Sequence, residues 1–168
     1  MIFFVDDLTD AQRSAAWQWI EALCDDGHRQ GRGALRSRDA EGRISYCCLG
    51  LACTLHSPQN WKPADDPNET GVSRIDRHLG DSAIYLSSEV REWLGLRDES
   101  GCALVRGHSA FDETPQGQHR SFISLAGLND ATVPFSTIAD LLADDLNPEV
   151  DDDTLRGRLI QIERAYTL

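Results

Sequence analysis

The run Ile44-Ser45-Tyr46-Cys47-Cys48-Leu49-Gly50-Leu51-Ala52-Cys53 constrains the fold more than any other part of the chain. Its pattern changes from strand-like to helix-like partway along. Apolar residues then recur at Cys48, Leu51, Ala52 and Leu55, the i, i+3, i+4, i+7 spacing of one helix face. Two adjacent cysteines at the mouth of a buried helix invite a reactive-thiol or metal reading. They fit equally well as small core residues, because unpaired cysteine is among the most buried residue types.

The pattern on either side extends this picture. A first helix is expected from the Thr9 cap to Cys24, with Ala16, Trp19, Ile20 and Leu23 inward and Gly27 as its C-terminal cap. Residues 34–38 and 43–46 read as a hairpin around a turn containing Gly42, leading into a helix over residues 47–55. Residues 57–71 carry Pro58, Pro63 and Pro67 and read as a surface loop. A weak segment at 72–79 precedes a helix from a Ser87 or Ser88 cap to Leu94, with Val90, Trp93 and Leu94 inward.

Residues 97–106 read as a second hairpin turning at Glu99-Ser100-Gly101, and residues 107–119 as a polar, mobile connection. Helices follow at 122–128 and 134–146, the second with Phe135, Ile138, Ala139 and Leu142 on one face and Asn147-Pro148 as its stop. The last helix, over about residues 154–167, turns Leu155, Leu159, Ile162 and Tyr166 inward. The expected class is helix-rich α+β with a small antiparallel sheet, folded as a single domain over residues 1–168.

Composition narrows the function. No apolar run approaches the ~20 residues of a membrane-spanning helix. The apolar start reaches Asp6-Asp7 at once without a basic region, which argues against a secretory signal. Five cysteines, an odd number, fit a reduced cytoplasmic setting better than a disulfide scaffold. A net charge of −12 disfavours direct binding to DNA or an anionic membrane. The charge is uneven, however. Residues 29–43 hold five arginines against Asp39 and Glu41, whereas residues 140–153 hold seven acids and no base. Lys62 is the only lysine, so the positive groups are guanidiniums, suited to planar contacts with carboxylate or phosphate.

An ordered set of motifs runs through most of the chain: Trp19-x-x-Ala22-Leu23, Gln30, Gly33-x-Leu35, Tyr46-Cys47-Cys48-Leu49-Gly50, Val90-x-x-Trp93-x-Gly95-Leu96, Leu125-x-x-Leu128-Asn129-Asp130 and Phe135-x-x-Ile138-Ala139-Asp140. Over about residues 17–146 this set resembles a family of small proteins frequent in bacteriophage and prophage genomes. The resemblance implies a dispensable, cytoplasmic, phage-type gene product and carries no activity with it. The chain departs from the pattern at Asp26-Gly27-His28, where a glycine and then an aromatic residue are more usual.

Four chemistries compete. Cys47 near a helix N-terminus could be a nucleophile, its pKa lowered by the macrodipole, with His108 or His119 as base, as in a cysteine-dependent hydrolase. Cys24-x3-His28 and Cys53-x2-His56 could together make a Cys2His2 metal set. Arg29-Gln30-Gly31-Arg32-Gly33 could cradle an anion or nucleotide, with His28 and Tyr46 stacking on a base and Asn129 and Asp130 reading donors. Gln30 and Asn129 also suit the satisfaction of buried backbone groups. The acidic residues 140–153, with Asp140, Asp144 and Asp151 on or just beyond one helix, could imitate a nucleic-acid backbone.

The expectation carried forward is a non-enzymatic accessory protein that binds, sequesters or inhibits a host factor. Its ligand residues would be Arg29, Gln30, Arg32, Tyr46, Asn129 and Asp130. The partner would be a small anionic or nucleotide ligand or a host protein, with no cofactor, and a homo-oligomer is compatible with the sequence.

Overall fold

In the computed structural model, residues 1–64, 74–80, 82–106 and 120–166 are described. Among them the order is α1 (Asp10–Leu23), β1 (Arg36–Arg38), β2 (Ile44–Tyr46), α2 (Cys48–His56), a 3-10 turn at Pro58–Asn60, β3 (Trp61–Pro63), β4 (Arg74–His78), α3 (Ser88–Leu94), β5 (Cys102–Arg106), β6 (Arg120–Ser124), α4 (Leu125–Asp130), α5 (Phe135–Leu146) and α6 (Asp152–Tyr166). The class is α+β, as the sequence pattern implies.

Helix α1 starts where Thr9 closes a capping box with Gln12, each side chain satisfying the other's backbone N–H. Its stripe of Ala15, Ala16, Trp19, Ile20 and Leu23 is buried and packs on α2, α3 and α5. Trp19 is wholly buried, and its indole N–H donates to the Cys48 carbonyl at 2.9 Å, so the largest core side chain leaves no polar atom unpaired. The helix ends at Cys24 in ordinary right-handed conformation rather than at Gly27. Gly27 instead donates its N–H to the Asp25 carboxylate in a local turn.

The four-stranded sheet has the order β2-β1-β4-β3, antiparallel throughout. Tyr46, Arg36 and Asp76 are direct neighbours across three strands. Helix α2 lies directly against the start of β1. A Cβ on Gly50 would fall on the Leu35 carbonyl oxygen, so only glycine admits this approach. Two short stretches pair outside the strands: Phe4 with Leu96, and Gln30 in parallel with Tyr46. Phe3 and Phe4 are wholly buried, and the Asp145 carboxylate at the end of α5 accepts the N–H groups of Ile2, Phe3 and Phe4.

Three expectations are corrected. The segment at 57–71 is not all loop: Trp61–Pro63 forms β3, an edge strand where Pro63 costs no ladder bond. Residues 97–106 form no hairpin. Asp98 folds the turn by accepting from the N–H groups of Ser100 and Cys102, while β5 pairs with β6. Phe122 belongs to β6, and α4 begins only at Leu125, capped by Ser124. On α6, Leu155 and Leu159 are buried as expected, whereas Tyr166 is exposed. The connection at 107–119, with His108 and His119, lies outside the described residues.

Candidate functional site

The cysteines at the mouth of α2 are structural. Cys47 is the N-cap, and its Sγ accepts the Gly50 N–H at 3.3 Å. It is 4% exposed, and burial pushes its thiol up to about 11 against the pull of the helix N–H groups. Burial also raises Cys48, whose Sγ donates to the Leu125 carbonyl, and Cys53. The expected lowering by the macrodipole is overturned: desolvation exceeds the dipole, and Cys47 stays a thiol at neutral pH.

The Cys2His2 set does not form. Because α1 ends at Leu23, Cys24 and His28 share no helix face, and Cys24 is exposed while Cys53 is wholly buried. Among the described residues no three His, Cys, Asp or Glu groups converge to hold a metal. His56 is engaged elsewhere, as described below.

Of the six expected ligand residues, Gln30, Tyr46, Asn129 and Asp130 come together around the segment before the hairpin. The Gln30 amide donates to Asn129 Oδ1 at 3.1 Å and to the Val133 carbonyl at 2.8 Å. Asn129, wholly buried, donates to the Gly31 carbonyl at 2.7 Å and accepts the Cys48 N–H at 3.2 Å. Asp130 accepts the Gly33 N–H at 2.8 Å. These groups knot residues 30–33 onto α2 and α4, and that work consumes the polar atoms a ligand would need. His28 packs edge-on against the Tyr46 ring, with centroids 6.1 Å apart.

Among the acids of residues 140–153, Asp140 and Glu149 are exposed and five others have partners. Asp145 is buried beneath three backbone N–H groups, and its pKa is raised by burial against those three bonds. Asp144 pairs with Arg158, Asp151 caps α6 through Thr154, and Asp152 and Asp153 pair with Arg156.

The arginines behave differently. Arg36 and Arg38 both reach the same oxygen of Asp76, at 2.7 and 3.2 Å, and both through Nε. That geometry leaves the terminal amino groups of Arg38, a side chain 39% exposed, without a carboxylate among the described residues. Arg74 stands directly opposite Arg38 in the register and is exposed. At the adjoining turn, Arg29 and Arg43 share Asp39 at 2.8 and 2.7 Å, and Arg43 also meets Glu41 at 3.0 Å. The Arg29 guanidinium, helped by Arg43, holds the Asp39 carboxyl well below the usual carboxylate range. Among the described residues neither Arg32 nor Arg74 meets a carboxylate. One end of the sheet therefore gathers Arg29, Arg36, Arg38, Arg43 and Arg74 around Asp39, Glu41 and Asp76, positive in a chain of net charge −12.

Beneath it lies a network the sequence did not announce. The Arg36 guanidinium stacks 4.3 Å from the centre of the Trp61 ring, and Trp61 packs on His78. His78 is 1% exposed, and its Nε2 lies 2.9 Å from the Ser57 carbonyl. A carbonyl only accepts, so Nε2 carries the proton. Burial lowers the His78 pKa, and its Nδ1 has no hydrogen-bond partner among the described residues. Ser57 Oγ also lies 2.9 Å from Nδ1 of His56, which packs on Trp93. The available signal was the alternation Arg74-x-Asp76-x-His78, which places three polar residues on one face of a strand.

A family model described as "Domain of unknown function (DUF8296)" matches residues 12–146. The chain belongs to this family. The match covers the arginine cluster, the Gln30–Asn129 knot and the Cys47 cap, and it stops at the last residue of α5, leaving α6 outside. No curated protein and no solved structure matches the chain. No helix among the described residues is long and apolar enough to cross a membrane.

Proposed function

We propose that the protein acts by binding: the arginine-rich end of its sheet takes a small phosphate-bearing ligand of nucleotide type. In the phage-type setting that the sequence motifs suggest, binding would sequester a host nucleotide signal. The observation that carries this reading is the shared carboxylate. Asp76 neutralises one guanidinium and is asked to serve two, whereas at the adjoining turn Arg29 and Arg43 are balanced by Asp39 and Glu41. An anion supplied from outside would complete the charge balance through the terminal amino groups of Arg38, with Arg74 beside them. Ordinary surface ion pairs pair singly and contribute little, so the two-to-one arrangement at Asp76 is better suited to capture than to stability.

Titration calorimetry with ATP and with pyrophosphate tests the reading. Arg38→Gln combined with Arg74→Gln should weaken binding at least ~10-fold, about 1.4 kcal/mol, with helicity unchanged. Asp39→Asn, which releases Arg29 while Arg43 keeps Glu41, should strengthen it. Equal affinity in wild type and the double variant would overturn the assignment.

A further inference from the structure

The edge strand β3 is fastened chiefly through one ring. It is three residues long, and among the described residues its only ladder partner is β4. Lys62 and Pro63 are exposed, whereas Trp61 packs against the core and donates its indole N–H to Thr54 Oγ1 at 3.3 Å. His78 is the direct cross-strand partner of Trp61, and the two ring centres lie 4.8 Å apart. We propose that His78 is a proton-operated latch for this strand: a proton added at Nδ1 releases β3 from β4 while the helical core stays folded.

The neutral ring is well held. Its Nε2–H donates to the Ser57 carbonyl at 2.9 Å and lies 3.2 Å from Ser57 Oγ, and Ser57 is itself buried where α2 ends. A lone pair at Nδ1 is all that is left unpaired, in a side chain 1% exposed. Protonation turns that lone pair into a buried N–H with no acceptor and places a full charge in a dry site.

The surrounding charges give the proton little help. From β1, Arg36 stacks on the same Trp61 ring, so the ring already carries one cation. From α2, His56 stands edge-on with ring centres 6.4 Å apart. On β4 itself, Asp76 serves Arg36 and Arg38 through one oxygen. From α3, Glu89 pulls the other way, but its side chain is 65% exposed and reaches toward His56 Nε2 at 3.8 Å. Burial, with His56 and Arg36 adding to it, lowers the His78 pKa from 6.5 against the pull of the Ser57 bond. The opened strand therefore takes up the proton more readily than the closed one. The hold on β3 is complete above 6.5 and is lost as pH falls below it. Opening happens at the edge because β3 buries little besides Trp61, while the helices carry the core.

Hydrogen exchange read by NMR on the full chain tests the latch. Between about pH 7.5 and pH 5.5, amides paired between β3 and β4 should lose protection by ~3–10-fold, the upper figure being the most that one proton taken up below 6.5 supplies. Amides of α1 and α5 should keep theirs. His78→Gln, which still donates to the Ser57 carbonyl but takes no proton, should abolish the loss. His56→Gln should retain it, since a charged His56 has Glu89 beside it. Unchanged β3–β4 protection in wild type overturns the latch whether or not either variant folds, as does a loss that spreads equally through α1 and α5. A loss that persists in His78→Gln overturns it too, and one that vanishes only in His56→Gln does so by moving the proton to His56.

Discussion

The mouth of α2 and the arginine end of the sheet lie within a dozen residues of each other in sequence and are opposites in chemistry. At the helix mouth, a residue type known for reactivity is sealed: Cys47 caps a helix, Cys48 donates to a carbonyl, and both thiols are raised by burial. At the sheet end, a residue type common on any surface is left short of partners, with two guanidiniums on one carboxylate oxygen at Asp76. Reactive character therefore follows unspent capacity and exposure, not residue type. The same lesson separates Asn129, which is saturated, from Arg38, which is not.

The sharpest way to break the comparison is at the contact that seals the helix. Gly50→Ala should cost more than ~4 kcal/mol, because the new Cβ meets a backbone carbonyl that cannot swing aside. Chemical denaturation checks this; a loss below 1 kcal/mol would show that α2 can lift away from β1.

Next comes the partition within the arginine pair. Asp76→Asn strands the buried Arg36, a side chain 10% exposed, and should cost about 3 kcal/mol. Arg38→Gln at the same carboxylate should cost under ~1 kcal/mol, since that side chain is largely solvated. Equal costs would mean that Arg38 is a structural partner like Arg36 and would weaken its role in capture.

The smallest effect concerns the thiols. Above the ordinary thiol pKa of about 8.5, the unfolded chain sheds protons that the folded chain keeps at Cys47 up to about 11. The stability that depends on the neutral thiol is fully present below the first value and is lost as pH rises toward the second. Tm should fall by several degrees between about pH 8 and pH 10.5, and less steeply in Cys47→Ser, a good N-cap that does not ionise. At neutral pH, mass-spectrometric alkylation should label exposed Cys24 at least ~100-fold faster than Cys47. Prompt labelling of Cys47 would reopen the nucleophile reading.

Much of the fold was legible because it is local. The Thr9 and Ser87 caps, the hairpin at residues 36–46 and the apolar face of α5 follow from short-range periodicity and cap chemistry. The errors are non-local. The pairing of β5 with β6 joins segments 13 or more residues apart, and no turn signal at 99–101 could disclose it. β3 hid behind two prolines because an edge strand tolerates what a central strand forbids.

The sequence by itself determined the α+β class, most of the helix faces and the presence of an arginine-rich segment in an acidic chain. Only the tertiary structure decided which polar groups remain available. Desolvation and hydrogen-bond saturation depend on what folds over a residue from elsewhere: Asn129 reaches Gln30 and Gly31 from across the chain, Arg36 and Arg38 meet Asp76 from a third strand, and Leu35 closes over Gly50.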